Sequence, residues 1–211
     1  RFQSSPNACV LLSLATLTWS QPDVHGDPPS PRHGHVVVAV GTKLFIHGGL
    51  AGDVFYNDLF CIDITDDMKW VKISATGDVP GGRAAHSSAA FKEHLYIFGG
   101  MDPTGALDTT YKYHIEQQQW TLLQFESPLP AARLDHSMCV IPWHTHASCD
   151  DADEDEAGKG AAVLGSDAAD LLQSTEEAAG AEEPPLHLLF VFGGMSAQGE
   201  MHSDCIVSLI E

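Results

Sequence analysis

Basic charge is what this sequence most conspicuously lacks. Ten lysines and arginines stand against twenty-nine acidic residues in 211, a net charge of −19. Neutralising a nucleic-acid backbone needs clustered cations, and holding an anionic membrane surface needs a polybasic patch. The composition therefore argues against nucleic acid and against direct membrane insertion. No C-x-x-C pair occurs either. Cys9, Cys61, Cys139, Cys149 and Cys205 are an odd, scattered set, which suits a reducing, cytoplasmic setting better than a disulfide framework. Long apolar runs are missing too: the ten residues Ala8–Leu17 cannot cross a bilayer as a helix. With no small-residue cleavage pattern before Trp19 they read as strand or leader, not as a secretory signal. There is no G-x-x-x-x-G-K-[ST] phosphate loop and no G-x-S-x-G elbow. Helical periodicity is absent outside one acidic stretch. The chain begins at Arg1 and not at Met, so the expectation is a processed, excised or incomplete piece.

What is present is a repeat. "LFIHGG" (44–49), "LYIFGG" (95–100) and "LFVFGG" (189–194) are three copies of one strand running into a glycine pair. Trp19, Trp70 and Trp120 keep the same step of about fifty residues. Arg32, Arg83 and Arg133 each follow a tryptophan by thirteen residues, and His35, His86 and His136 follow the arginines by three. The arginine-to-glycine spacing is sixteen residues twice and then sixty, so the third copy carries an insertion of forty-four. Asp150 to Glu183 in that insertion holds twelve acids, one lysine and no aromatic. Such a segment cannot bury enough apolar surface to offset its ordering entropy, so residues 143–185 are expected to be disordered. If they act, they act as a separate interaction or phosphorylation tail, with Ser166, Ser174 and Thr175 as candidates.

Within a copy, short apolar runs alternate with turn residues, the all-β pattern. The second copy predicts strands at His86–Phe91, His94–Phe98, Thr110–His114 and Gln119–Leu123. Four antiparallel strands at a period near fifty make the blade of a β-propeller. In that frame each tryptophan is a plate packed on the neighbouring blade. The glycine pairs Gly48–Gly49, Gly99–Gly100 and Gly193–Gly194 then mark backbone turns or close approaches, not a phosphate cradle. The strands sum to about three blade-equivalents. Residues 1–15 read as an ill-defined leader, 16–142 as the fourth strand of a preceding blade, two full blades and the start of a third, and 186–211 as the rest of the last blade. An arc that short leaves open faces and an unpaired edge, so the incomplete propeller is expected to self-associate.

The glycine pair, an aromatic beyond it (Tyr56, Tyr111, Tyr113) and a tryptophan some twenty-one residues on together resemble the kelch motif. The lead-in Pro31–His35 resembles the subgroup whose blades open on P-x-R-x-x-H. Within the family, "PPSPRHGHVVVAVGTKLFIHGGLAGDVFYNDLFCIDI" and "RLDHSMCVIPW" are similar to the carboxy-terminal half of its Rab-effector members, where an acidic insertion also interrupts the last repeat. That resemblance implies a peripheral, endosome-associated partner of a GTP-loaded Rab GTPase, working between late endosomes and the trans-Golgi network. Other members of the family are copper oxidases or iron-dependent specifier proteins, so an enzyme on this scaffold is one alternative reading, and a generic kelch adaptor unrelated to Rab is the other.

Loops displayed on a rigid scaffold commonly carry recognition. The strand two-to-three loops share one face of the propeller, which makes Asp53, Phe55, Tyr56, Asp102 and Leu107 the candidate partner contacts. The opposing reading makes Phe55, Tyr56 and Leu107 partly buried blade residues. The repeated arginines and histidines fall on this face as well. Recurrence at a fixed distance from Trp and Gly-Gly argues that they serve each blade structurally, by bonding strand-end carbonyls, and do not form a ring for anions. His33 and His35, or His144, His146 and Cys149, are weak metal candidates, and neither a metal nor a cofactor is expected.

Overall fold

The computed structural model describes residues 10–65, 67–125, 130–143 and 185–210. The acidic insertion and its candidate phosphorylation sites lie outside them. Every regular element among the described residues is a strand. A hairpin, β1 (Leu11–Ser13) and β2 (Thr18–Ser20), comes first. Next is a sheet of β3 (Val36–Val40), β4 (Lys43–His47), β5 (Leu59–Asp63) and β6 (Trp70–Ile73). The second sheet holds β7 (Ser87–Phe91), β8 (His94–Phe98), β9 (Thr110–His114) and β10 (Gln119–Leu123), and the third β11 (Ser137–Trp143), β12 (Leu186–Phe192) and β13 (Cys205–Ile210). Neighbours in each of these sheets are consecutive and antiparallel, so the architecture is a row of propeller blades that does not close.

Alternation along each strand decides how the blades stack. Phe45 and Leu59 leave the first blade on the side of the second, where Leu95, Ile97, Tyr113 and Trp120 meet them. Ile46, Phe60 and Ile62 leave on the other side, toward Met68 and Trp70. The second and third blades join through Ala89, Tyr96, Leu189 and Ile210. Each tryptophan thus faces the preceding blade, and its burial reports whether one is there. Trp120 is 2% exposed against the first blade, whereas Trp19 in the hairpin is 57% exposed. Trp70 is half-buried.

Four boundaries differ from those expected. Leu11–Ser13 pairs with Thr18–Ser20, so the supposed leader already contains a strand: it keeps the same seven-residue distance to Trp19 (Leu12 opposite Trp19) as Tyr113 keeps to Trp120. The second blade's first strand begins at Ser87, because the His86 ring turns away to meet His47 of the blade before. Strand β11 continues through Trp143, paired with Leu186, one residue past the expected edge of the insertion. The link between blades is also not wholly irregular: Thr76–Gly77 adds to β10 as a short parallel strand.

The glycine pairs occupy positive-φ positions at all three strand ends, Gly99 at φ 63° and Gly100 at φ 90° among them. A Cβ on Gly99 would lie 2.6 Å from the Arg133 carbonyl oxygen, so the next blade's backbone fills the space a side chain would need.

A second strained position recurs two residues after each arginine, at Gly34, Ala85 and Asp135, all left-handed with φ of 64°, 56° and 55°. The Ala85 amide donates to Gly34 O and the Asp135 amide to Ala85 O, a backbone series that steps from blade to blade. The left-handed turn aims both groups along that series, which is why an alanine tolerates it. Ala85→Gly should therefore stabilise the chain by about 0.5–1 kcal/mol, the left-handed penalty of roughly 1–2 kcal/mol less the entropy glycine adds to the unfolded state. Denaturant midpoints of the two proteins check this.

Candidate interaction face

Three loops emerge together where the second strand of each blade ends: residues 50–58, 101–108 and 195–204. The first two are built alike. Leu50–Ala51 pairs with Val54–Phe55, and Met101–Asp102 with Gly105–Ala106, each a two-residue ladder that props the loop upright. In the first, Asp53 stands exposed at the tip. In the second, the Asp102 carboxylate accepts from the Thr104 amide at 2.7 Å and from its hydroxyl at 2.5 Å, closing the turn. Those bonds hold the Asp102 carboxyl below its usual range.

The other candidates are tied into the scaffold as well as facing the loops. Phe55 is half-buried, and its carbonyl backs so closely onto Gly82 that a Cβ there would lie 2.2 Å away. The Tyr56 ring lies under the Arg32 guanidinium, 3.7 Å from its centroid, and the Tyr56 carbonyl accepts from the Arg83 amide. Leu107 donates to Gly100 O and accepts from the Arg133 amide. Asp53 is thus the exposed member, while Asp102, Phe55, Tyr56 and Leu107 are half-buried and offer part of a surface.

The repeated arginines turn inward. Arg32 donates to Gly48 O at 3.1 Å, Arg83 to Gly99 O at 3.0 Å and Arg133 to Gly193 O at 3.0 Å. In each blade the same guanidinium reaches a second group ten or eleven residues further on: the Asp58 carboxylate, the Thr109 hydroxyl and the Asp204 carboxylate. Each arginine therefore fastens the incoming chain to the end of its own second strand and to the far end of the loop. Asp58, Thr109 and Asp204 escaped the sequence reading, although their distance of ten or eleven residues from the glycine pair was a usable signal.

The histidines look the other way, toward the preceding blade. A Cβ on Gly48 would lie 2.8 Å from the His86 ring, and one on Gly99 2.8 Å from the His136 ring. His47 Nδ1 and His86 Nε2 share a hydrogen bond of 3.0 Å. Burial holds His47 at about 3 and His136 at about 4, with Arg83 and Arg133 respectively adding to the effect. His35 is exposed and is lowered by partial burial and by Arg32.

Electrostatically the face is one-signed. Asp53, Asp102, Asp108 and Glu200 lie in its loops, while the described lysines, Lys43, Lys69, Lys72, Lys92 and Lys112, fall on strands or on turns at the opposite end. Between the second and third loops an apolar cleft of about 370 Å³ is lined by Met101, Ala106, Leu134 and Met195. The arrangement can present acidic tips around half-buried aromatic and methionine surface. Among the described residues no three or more His, Cys, Asp or Glu side chains come together to hold a metal ion. His33 instead pairs its backbone with Leu50, and His144, His146 and Cys149 lie outside the described residues. No described helix is long and apolar enough to cross a membrane.

Comparison with known proteins bears on what such a face serves. The KLHDC2/KLHL20/DRC7 Kelch-repeats domain matches residues 2–146. The chain is 54% identical over 200 residues to the Mus musculus protein called Rab9 effector protein with kelch motifs, covering 93% of this chain and 52% of that one. Its Gallus gallus counterpart is 68% identical over 203 residues, covering 95% of this chain and 54% of the relative. Kelch domain-containing protein 2 of Bos taurus is 32% identical over 145 residues, 68% of this chain and 33% of the relative. The chain thus spans about half the length of the relatives named as Rab9 effectors.

Proposed function

The chain belongs to the kelch-repeat family, and on that premise we propose that it is a protein-interaction scaffold acting as an effector of a GTP-loaded Rab GTPase. The observation that carries this reading is identity of 54–68% over 93–95% of the chain to relatives named as Rab9 effectors with kelch motifs. Names of that kind describe a binding protein, and an effector binds without transforming its partner, which favours a scaffold over an enzyme on the same blades. The setting that goes with the reading is cytoplasmic and peripheral, on vesicles moving between late endosomes and the trans-Golgi network. The acidic loop face supports it physically: rigid blades hold Asp53 at one loop's tip and Asp102 at the base of the next loop's turn, with Phe55, Tyr56 and Leu107 beside them.

The test is a pull-down of Rab9 loaded with a GTP analogue or with GDP, using this chain and a complete relative as bait. Binding at least tenfold stronger to the GTP-analogue form is expected. Asp53→Lys should lower that binding several-fold while leaving the melting temperature in place, since Asp53 is exposed; adding Asp102→Lys should bring the loss to about tenfold and lower the melting temperature slightly, because that carboxylate closes its own turn through Thr104. Equal capture of the two nucleotide states would reject the effector reading.

A further inference from the structure

The cleft between the second and third loops traces to one residue. Phe55 and Ala106 are equivalent: each closes a two-residue ladder, Phe55 opposite Leu50 and Ala106 opposite Met101. The residue after each, Tyr56 or Leu107, accepts from the next blade's arginine amide. Phe55 lies against the link into the second blade, where a Cβ on Gly82 would sit 3.1 Å from its own Cβ. The first blade therefore puts an aromatic ring at this position. The second blade supplies only the methyl group of Ala106, and about 370 Å³ of open space lies beside it, bounded by Met101, Leu134 and Met195.

Bonds within these two adjacent blades hold the cleft in shape. On one side Asp102 closes its turn on Thr104. On the other, the Ser196 amide donates to Glu200 O at 2.8 Å and the Gly199 amide to Ser196 O at 3.0 Å, while Ser196 Oγ accepts from the Gln198 and Glu200 amides at 3.2 Å each. At the base, Leu134 and Met195 exchange backbone bonds, as do Ala84 and Met101, and the Asp135 amide ties the two pairs together through Ala85 O. A side chain entering the cleft thus meets walls that need no further ordering. Met101 and Met195 are unbranched and polarizable, so they adapt to a ring or to a branched chain. The rim is acidic. Asp102, Asp135 and Glu200 each adjoin a lining residue in sequence, and the last two are exposed. Residues 101–108 and 195–204 contain no lysine or arginine, and Arg83 and Arg133 are 3% and 0% exposed with their guanidinium groups turned inward.

We propose, resting on the effector reading above, that the Met101–Met195 cleft receives one aromatic or large aliphatic side chain of the GTP-loaded Rab, carried on a segment with lysine or arginine beside it. That side chain takes, beside Ala106, the place that the first blade gives to its own Phe55. Its flanking cations meet Asp102, Asp135 and Glu200, where an anionic segment would be repelled. A second copy of this chain, at a net charge of −19, would bring like charge to the same rim. An apolar anchor in a preformed pocket supplies the larger part of the affinity, and charges around it set orientation and encounter rate.

Ala106→Phe gives the second loop the residue that the first already carries, so it should fold with an unchanged melting temperature while closing the cleft. Titration with Rab9 loaded with a GTP analogue should show affinity at least tenfold lower for Ala106→Phe than for the wild type. Ala197→Trp, at an exposed position of the opposite wall, should have the same effect and keeps the test open if the first variant misfolds. Glu200→Lys should weaken binding several-fold and flatten its dependence on salt between roughly 0.05 and 0.5 M. Unchanged affinity of the two cleft-filling variants, with preference for the GTP-analogue form retained, would overturn the cleft and leave the effector reading standing. Equal capture of both nucleotide states by the wild type would overturn both. A salt dependence as steep in Glu200→Lys as in the wild type would remove the flanking cations. Self-association of the chain abolished by Ala106→Phe in light scattering would make a second copy the occupant and reject the proposal.

Discussion

Arg133→Ala should be the most damaging single substitution in the last blade, costing about 3–5 kcal/mol, of the order seen when a buried ion pair loses one partner. The Arg133 side chain is fully buried, and its guanidinium donates to Gly193 O at 3.0 Å, to Ala131 O at 3.1 Å and to both Asp204 oxygens at 2.9 Å. Alanine would leave two strand-end carbonyls without their donor and a cavity where a long side chain lay, each worth on the order of 1–3 kcal/mol. The two partners of the ion pair are unequal, and this sharpens the test. Asp204 is 54% exposed, so Asp204→Asn leaves a carboxamide that water can still solvate and should cost no more than about 1 kcal/mol. Arg133→Lys should fall nearer to alanine than to wild type, because an ammonium cannot span a carbonyl and both carboxylate oxygens at once. Equilibrium denaturation of the three variants reads the order. If Asp204→Asn costs as much as Arg133→Ala, the ion pair and not the carbonyl bonding holds the blade.

The same residues show what was legible beforehand. Spacing alone placed β8, β9 and β10 at their observed bounds, because five-residue strands between tight turns leave little freedom in phase. It also put the arginines and histidines at equivalent points of every blade, since a residue that recurs in step with Trp and Gly-Gly answers to the blade. Spacing could not assign their partners. Asp58, Thr109 and Asp204 differ in chemistry, and only the fold shows that each is reached by the arginine of its own blade. Nor could it foresee the strand at Leu11–Ser13, because a strand is recognised by its repeat and no glycine pair precedes this one to mark its phase. For the candidate face, sequence named the loops, while geometry separated Asp53, exposed at its tip, from Tyr56 and Leu107, whose carbonyls belong to the next blade.

Burial of the histidines between blades makes the fold acid-labile over a definite range. His47, His86 and His136 are 2%, 5% and 7% exposed, and burial is the largest cause holding each below the ordinary 6.5. The His47 and His86 rings share one hydrogen bond, so protonating both would place two cations in contact beside Arg83. With folded values depressed, the unfolded chain takes up protons first as pH falls through 6.5. Their stabilisation is therefore complete above that value and is lost on acidification until the folded values are reached, about 4 for His136 and about 3 for His47. Each contributes about 1.4 kcal/mol per pH unit inside the window, so His47 and His136 together should remove about 4 kcal/mol between pH 8 and pH 5, and His86 acts in the same direction. That is a large share of the stability of many domains, roughly 5–15 kcal/mol. Asp63, Asp102 and Asp204, whose carboxyls are held below 3.8, do not enter this range. The chain also supplies its own control. Phenylalanine stands at the position of His47 in the second and third blades, and Phe98 accepts the His136 ring edge-on at 5.0 Å. His47→Phe should therefore fold, and over the same interval it should lose about 2 kcal/mol less than the wild type, one proton fewer. Denaturant midpoints measured every half unit from pH 8 to pH 5 give both slopes. A flat profile for the wild type, or equal slopes for the two proteins, would show that these rings are not held neutral by the blades around them.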